Sequence, residues 1–321
     1  MVVKIRYEER ECLVADGDSV LDTLLKSGID VPHGCRAGSC QSCILKLVDG
    51  EPSAKSREGL TPLQVEQGLF LSCMCAPTEG MAMGDPSALM PRVPASIEAV
   101  ERLASDVIEV RLRPHQAFEY RAGQFLNLFR EDGLTRSYSI ASATGVDGCI
   151  ELHVRVLPRG AMSGWLSSPE AVGATVQLRG PSGACVHFPE EPDAPLVLAG
   201  TGTGLAPLLG IVKDALKHSH RGPIRLLHGA SSPQGWYLQE FLQGLARGAA
   251  ALEFHPCLRE EADGFAALDA KLLGLASEYS GARFYLCGAP AFVQGARKKL
   301  FLSGASLRRI HADAFVVAAP P

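Results

Sequence analysis

The chain carries no excess of positive charge: its 31 lysines and arginines are outnumbered by 35 aspartates and glutamates, for a formal net charge of −4. No basic patch of the kind used against nucleic acid stands out, so a nucleic-acid partner is not expected. An unbroken apolar run is also missing. The longest candidate, Pro195 to Val212, is interrupted by Gly200, Gly202, Gly204 and Pro207, which argues against a membrane span. The opening MVVKIRYEER is charged and alternating, so neither a secretory signal nor an anchor is expected there. Ten cysteines without such a signal point to a reducing cytoplasm, where clustered thiols serve metal or redox chemistry rather than disulfides. Internal repeats and low-complexity segments are absent.

What remains is a folded chain of 321 residues, 46% hydrophobic and 21% charged, long enough for two or three domains. Its densest feature is HGCRAGSCQSC, His33 to Cys43. The cysteines run Cys35-x4-Cys40-x2-Cys43, with Cys73 after a further 29 residues. That is the spacing by which plant-type ferredoxins hold a [2Fe–2S] cluster. Four thiolates must converge on two irons, and three come from one loop that wraps them. Gly34 and Gly38 let that loop bend and bring amides towards the sulfurs. A structural zinc is the competing reading, but it normally pairs two short knuckles, and only one CxxC is present. LSCMCA offers both Cys73 and Cys75 as fourth ligand; the spacing favours Cys73, with Cys75 a buried small hydrophobe. His33 invites a Rieske-like reading, which needs a second suitably spaced histidine and has none. Cys12, Cys149, Cys185 and Cys257 are isolated and expected to be buried and inert.

Around the loop, GDSVLDTLLKSGI predicts a short helix capped by Asp18 or Ser19 and stopped by Gly28, and residues 1–14 and 44–48 read as strands. DPSALMPRVP reads as a linker. The alternating segments that follow, SIEAVERL, VIEVRLRP and FLNLFR, predict an antiparallel barrel or sandwich. From Ala194 the rhythm becomes βαβ, which requires a parallel sheet. The expected domains are therefore a β-grasp-like [2Fe–2S] domain over 1–88, a linker over 89–95, an antiparallel β-barrel over 96–192 and a parallel α/β domain over 193–321. LVLAGTGTGLAP, Leu196 to Pro207, places a glycine-rich turn between strand and helix, where amides and the helix dipole can meet a pyrophosphate. Alone it would serve a ligand-free turn equally well.

Together with RSYSIAS (Arg136 to Ser142), HVRVLPRGAMSGWL (His153 to Leu166) and LCGAPAF (Leu286 to Phe292), that turn resembles the ferredoxin–NADP reductase superfamily in order and spacing. With the ferredoxin-like segment in front, the whole chain resembles the NADH-dependent reductase components of bacterial multicomponent oxygenases. The resemblance implies FAD, a [2Fe–2S] cluster on Cys35, Cys40, Cys43 and Cys73, and NADH. It implies that Arg136 pairs with a flavin phosphate, Tyr138 packs on the isoalloxazine and Ser139 hydrogen-bonds flavin N5, with Ser137 in the same strand at the cofactor. His153, Val154 and Arg155 would line the ribityl and phosphate side, and Gly160, Ala161, Met162 and Ser163 the pyrophosphate, which favours FAD over FMN. Gly202, Thr203 and Gly204 would face the dinucleotide. Cys287, followed by Gly288, would stand beside the nicotinamide, and Phe315 would shield the other flavin face. Ser139, Cys287 and Phe315 are thus the expected catalytic positions. Where the family often carries Glu two residues before that aromatic, Asp313 stands here.

A 2′-phosphate asks for Arg or Lys near the adenosine ribose. The segment His228 to Phe241 has neither, and Ser231 and Ser232 leave NADH favoured. The expected function is transfer of electrons from NADH through FAD and the cluster to an oxygenase or hydroxylase component, by a monomer. A flavin accepts a hydride and releases electrons singly, which links the two-electron donor to one-electron iron acceptors. A sugar-deoxygenation enzyme or a cytochrome as acceptor is the alternative, and a redox-sensing regulatory module a more distant one. Residues 1–88 hold 8 basic against 13 acidic side chains, an expected acidic face for a basic docking site on the acceptor.

Overall fold

Ser19 opens the first helix. Its hydroxyl accepts the Asp22 amide at 3.1 Å while the Asp22 carboxylate accepts the Ser19 amide at 3.2 Å, so two orphan donors are satisfied reciprocally. The computed structural model in which this is seen describes residues 3–258 and 265–317. In the N-terminal part, β1 (Lys4–Tyr7), β2 (Arg10–Leu13), α1 (Val20–Lys26), β3 (Ile44–Asp49), α2 (Pro62–Glu66), β4 (Leu69–Leu71) and β5 (Ala82–Gly84) follow in order. The segment read as a strand over 1–14 is a hairpin turning at Glu8, and its first two residues lie outside the described ones. The sheet runs β2-β1-β5-β3-β4, with β1 and β5 parallel. Val20, Leu21 and Leu24 of α1 bury against Ile5, Ile44 and Phe70 of that sheet.

The second part holds β6 (Val93–Ala104), β7 (Val107–Pro114), β8 (Phe125–Phe129), β9 (Thr135–Ser139), β10 (Ile150–Arg155), α3 (Ala161–Leu166) and β11 (Thr175–Ser182). Its antiparallel order is β10-β7-β6-β11-β8-β9, and a bridge between Ile140 and Leu152 joins the two ends into a barrel. β6 starts at Val93, inside the proline-rich stretch read as linker, because Val93 to Ser96 pair with Leu178 to Thr175.

The third part alternates β12 (Leu196–Thr201), α4 (Leu205–Lys217), β13 (Ile224–Ala230), α5 (Gln239–Gly248), β14 (Leu252–Leu258), α6 (Ala266–Glu278), β15 (Arg283–Gly288), α7 (Pro290–Leu302) and β16 (Ile310–Ala314). All strands are parallel, in the order β14-β13-β12-β15-β16. The chain direction across the sheet reverses between β12 and β15, and a crevice at the carboxyl ends of such a pair is where open α/β sheets bind ligands. The apolar run Pro195–Val212 is thus a buried strand and a buried helix; no helix among the described residues is long and apolar enough to cross a membrane. α5 begins three residues later than WYLQEF predicts, since Leu238 takes a left-handed φ of 58°. The sequence did not announce β14: LEFHPCL carries Pro256, which an edge strand tolerates and a central one does not.

Candidate functional site

Antiparallel pairing of β3 and β4 puts Ile44 opposite Leu71. Cys43 precedes the one strand and Cys73 follows the other, so both thiols emerge at the same end of the ladder. The Ser72 hydroxyl donates to the Cys43 carbonyl at 2.8 Å and holds that end closed. Within the loop, the amides of Ala37 and Cys40 donate to Cys35 Sγ at 3.3 and 3.4 Å, and the Cys35 amide to Cys40 Sγ at 3.4 Å. The four thiols form two interacting pairs, Cys35 with Cys40 and Cys43 with Cys73; Cys73 also accepts from the Gly38 amide. Hydrogen bonds from the Cys40 thiol and from those amides bring Cys35 down to about 4, while its partner Cys40 is pushed up by the same bond and by burial. Four converging sulfurs with amides aimed at them fit a thiolate-bound iron–sulfur cluster.

Cys75 lies in the hydrophobic core, its Sγ turned to the Ala76 carbonyl. His33 is turned away as well, with Nδ1 2.8 Å from the Val31 carbonyl. Of the isolated cysteines, Cys12, Cys185 and Cys257 are buried; Cys149, expected to be buried, is half-exposed, because it stands in the turn before β10. Arg36, the basic residue of the loop, is paired with Asp22 at 2.5 Å.

Next to this loop opens a cavity of about 840 Å³, lined by parts of all three domains. Gly34, Cys35, Ser39 and Cys40 form one edge; Arg136, Ser137, Tyr138 and Ser139 of β9, Gly202 and Thr203 after β12, Gly288 at the end of β15, and Phe315 after β16 line the rest of its wall. His153, Arg155 and the segment Gly160, Ala161, Met162 and Ser163 complete it. The first amides of a helix have no intrahelical acceptor, and residues 160–163 open α3 facing the cavity. Ser163 Oγ accepts the Leu157 amide at 3.1 Å, which leaves its own proton for another acceptor. Arg136 donates to the Thr135 carbonyl and has no carboxylate partner among the described residues, as a phosphate-pairing guanidinium requires.

Gly202 adopts φ +55°, and a Cβ there would sit 2.9 Å from Arg155 Nη2. Gly288, at φ +120°, packs so closely on Thr201 that any side chain would strike the Thr201 hydroxyl and carbonyl. His153 Nδ1 lies 3.1 Å from the Tyr237 hydroxyl, and its buried Nε2 has no hydrogen-bond partner. Burial lowers His153 to about 3 and His228 to about 4, so both are neutral. His228 Nε2 donates to the Gly202 carbonyl at 3.0 Å and orients the glycine turn.

Three expected positions are not on the cavity wall. Strand alternation turns Val154 into the barrel core. A Cβ on Gly204 would strike the Cys287 carbonyl, so this glycine serves the close approach of α4 to β15. Cys287 is fully buried: Tyr285 and Cys287 share the face of β15 packed on α4, and the Cys287 thiol faces Cys185 Sγ at 3.8 Å. The residue most underrated by sequence is Asp313. Its carboxylate accepts from the Ser139 hydroxyl at 3.2 Å, and burial raises it to about 6. Asn127 and Arg179 also escaped notice, although a polar residue inside the apolar run FLNLF is the kind of signal that marks a buried partner.

Sequence profiles of three families match in the order the cavity implies: a 2Fe–2S iron–sulfur cluster binding domain over residues 3–78, an oxidoreductase FAD-binding domain over 94–187 and an oxidoreductase NAD-binding domain over 198–298. The electron transfer component of a xylene/toluene monooxygenase from Pseudomonas putida is 30% identical, over 98% of this chain and 93% of its own. The chain belongs to the ferredoxin reductase components of oxygenase systems. The reductase subunit of an aromatic O-demethylase from Amycolatopsis sp. is 32% identical over 94% of this reductase and 95% of its own length. The crystal structure of an Amycolatopsis cytochrome P450 reductase superposes with a TM-score of 0.68 at 28% identity, covering 99% of this chain and all of that one. The reductase is accordingly an oxidoreductase of FAD, NAD(H) and a [2Fe–2S] cluster.

Proposed function

We propose that this reductase takes electrons from NADH and passes them, through FAD and its [2Fe–2S] cluster, to an oxygenase or hydroxylase component in the cytoplasm, acting as a monomer. The supporting observation is one cavity bordered at once by the cluster ligands Cys35 and Cys40, the Arg136–Ser139 strand and the Gly202–Gly288 crevice. The domains we assign are 1–88, 93–192 and 193–321, the second beginning with β6.

The bound flavin supplies hydride acceptance and single-electron release, and the cluster one-electron transfer. The protein binds and orients. Arg136 offers an unpaired positive charge to a phosphate, and the amides at 160–163 offer donors to a pyrophosphate. Tyr138 and Phe315 both line the cavity, where their aromatic surfaces can pack on a flat ring. Ser139 presents a hydroxyl whose orientation Asp313 holds; with its raised affinity for a proton, Asp313 can exchange one through Ser139 near neutral pH. Cys287 supports the wall from behind. Ser231 borders the cavity with no cationic side chain in the same segment, which favours NADH over NADPH.

An anaerobic visible spectrum recorded during titration with NADH tests the electron path. Bleaching of both the flavin bands and the broader iron–sulfur absorbance is the expected result. A flavin that bleaches while the cluster does not would break the path at its last internal step.

A further inference from the structure

Three neighbouring strands of the flavin barrel carry one row of polar side chains. Asn127 on β8 is the cross-strand partner of Ser137 on β9 and of Arg179 on β11. Each reaches out of the barrel to the same short piece of the cluster loop. Asn127 Oδ1 accepts from the Ser42 hydroxyl at 2.7 Å and from the Ser137 hydroxyl at 2.6 Å. Ser137 Oγ also lies 3.2 Å from the carbonyl oxygen of Cys40. Arg179 Nη2 donates to the Ser42 carbonyl at 2.5 Å. Ser42 is 0% exposed, and Asn127 and Arg179 are each 2% exposed.

We propose that this row is a docking latch: Ser137, Asn127 and Arg179 grip the backbone and hydroxyl between Cys40 and Cys43 and so set the distance from the cluster to the flavin strand. The reading rests on the electron path proposed above. Without the ferredoxin domain in place, Arg179, Asn127 and Ser137 would each lose the partner they have on the cluster loop. The latch therefore favours one fixed arrangement over a swinging domain, although the proline-rich segment joining the two would permit either. It also ties the loop to the strand whose next two residues, Tyr138 and Ser139, line the cavity. Asn127, Ser42 and Arg179 are positioning residues, acting through the groups they hold.

The test compares the holoprotein with its Asn127→Ala and Ser42→Ala variants and their double variant by anaerobic stopped flow. Because electron transfer weakens as donor and acceptor separate, each single variant should slow cluster reduction, by about tenfold. Reduction of the flavin by NADH should stay within about twofold of the parent. A larger radius of gyration by small-angle scattering should accompany the loss, as the ferredoxin domain comes free. Because both substitutions break the same bond, the double variant should be no slower than the worse single one. Should Asn127→Ala fail to load flavin, Ser42→Ala probes that bond from the other domain. Cluster reduction at the parent rate with unchanged scattering overturns the latch, and so do fully additive effects, which would mean independent defects. A parent protein whose cluster does not bleach with NADH removes the electron path itself and the latch with it.

Discussion

Ser139 and Asp313, 174 positions apart in the chain, meet where the flavin barrel faces the last strand of the parallel sheet: the hydroxyl donates to Asp313 Oδ2 at 3.2 Å. Cross-strand pairing with Cys287 holds Asp313 in that place. Burial raises its carboxyl to about 6, above the ordinary value of 3.8. The folded apoprotein thus binds this proton more tightly than the unfolded chain, and the contribution to stability declines as pH rises from about 4 to about 6. Asp313→Asn keeps an acceptor for Ser139 and removes the charge. It should stabilise the apoprotein at pH 8 by roughly 2 kcal/mol, with the gain shrinking towards pH 4. Urea titrations at the two pH values decide; an unchanged midpoint at pH 8 would sink the idea.

His153 and His228 carry the opposite dependence. Both are buried neutral and titrate below their ordinary value of 6.5. The unfolded chain takes up their protons first, so stability is full above about 6.5 and is lost as pH falls towards 4. By pH 5 each should cost on the order of 2 kcal/mol. His153→Phe should flatten that acid limb in apoprotein unfolding curves, and an unchanged limb would place the acid sensitivity elsewhere.

Cys73 and Cys75 separate cleanly. Cys73→Ala should abolish the iron–sulfur absorbance and the electron paramagnetic resonance of the reduced cluster. Cys75→Ala should keep both and lower stability by about 1 kcal/mol, as small deletions in a packed core do. The reverse pattern would reassign the fourth ligand.

Gly288→Ala places a methyl against Thr201 at a φ of +120°, which L residues rarely adopt. The crevice between β12 and β15 should open, raising the KM for NADH by about tenfold or more while flavin content stays unchanged. Equal KM values for parent and variant would mean that the dinucleotide binds away from this crevice.

Much of this was legible in the chain because it rests on local pattern. The thiol spacing of Cys35, Cys40 and Cys43 needs only a short segment to be recognised, whereas the glycine turn Gly202–Gly204 was read as a dinucleotide site only beside the other motifs. Strand periodicity delivered VIEVRLRP as β7, and the alternation of strand-like and helical segments delivered IRLLHGA as β13. β14 and the start of α5 were less legible, since an edge strand with Pro256 and a left-handed Leu238 depart from simple periodicity.

By itself, the sequence determined the spacing of the clustered thiols, the order of the three domains and the βαβ rhythm of the last, since short-range sterics and periodicity suffice for these. Tertiary structure alone decided that Cys287 faces Cys185 rather than the cavity, that Asp313 meets Ser139, and that Asn127 and Arg179 reach the cluster loop. Those facts depend on which strands become neighbours and in what register. A one-residue slip would reverse every side chain, and no stretch of a dozen residues contains that information.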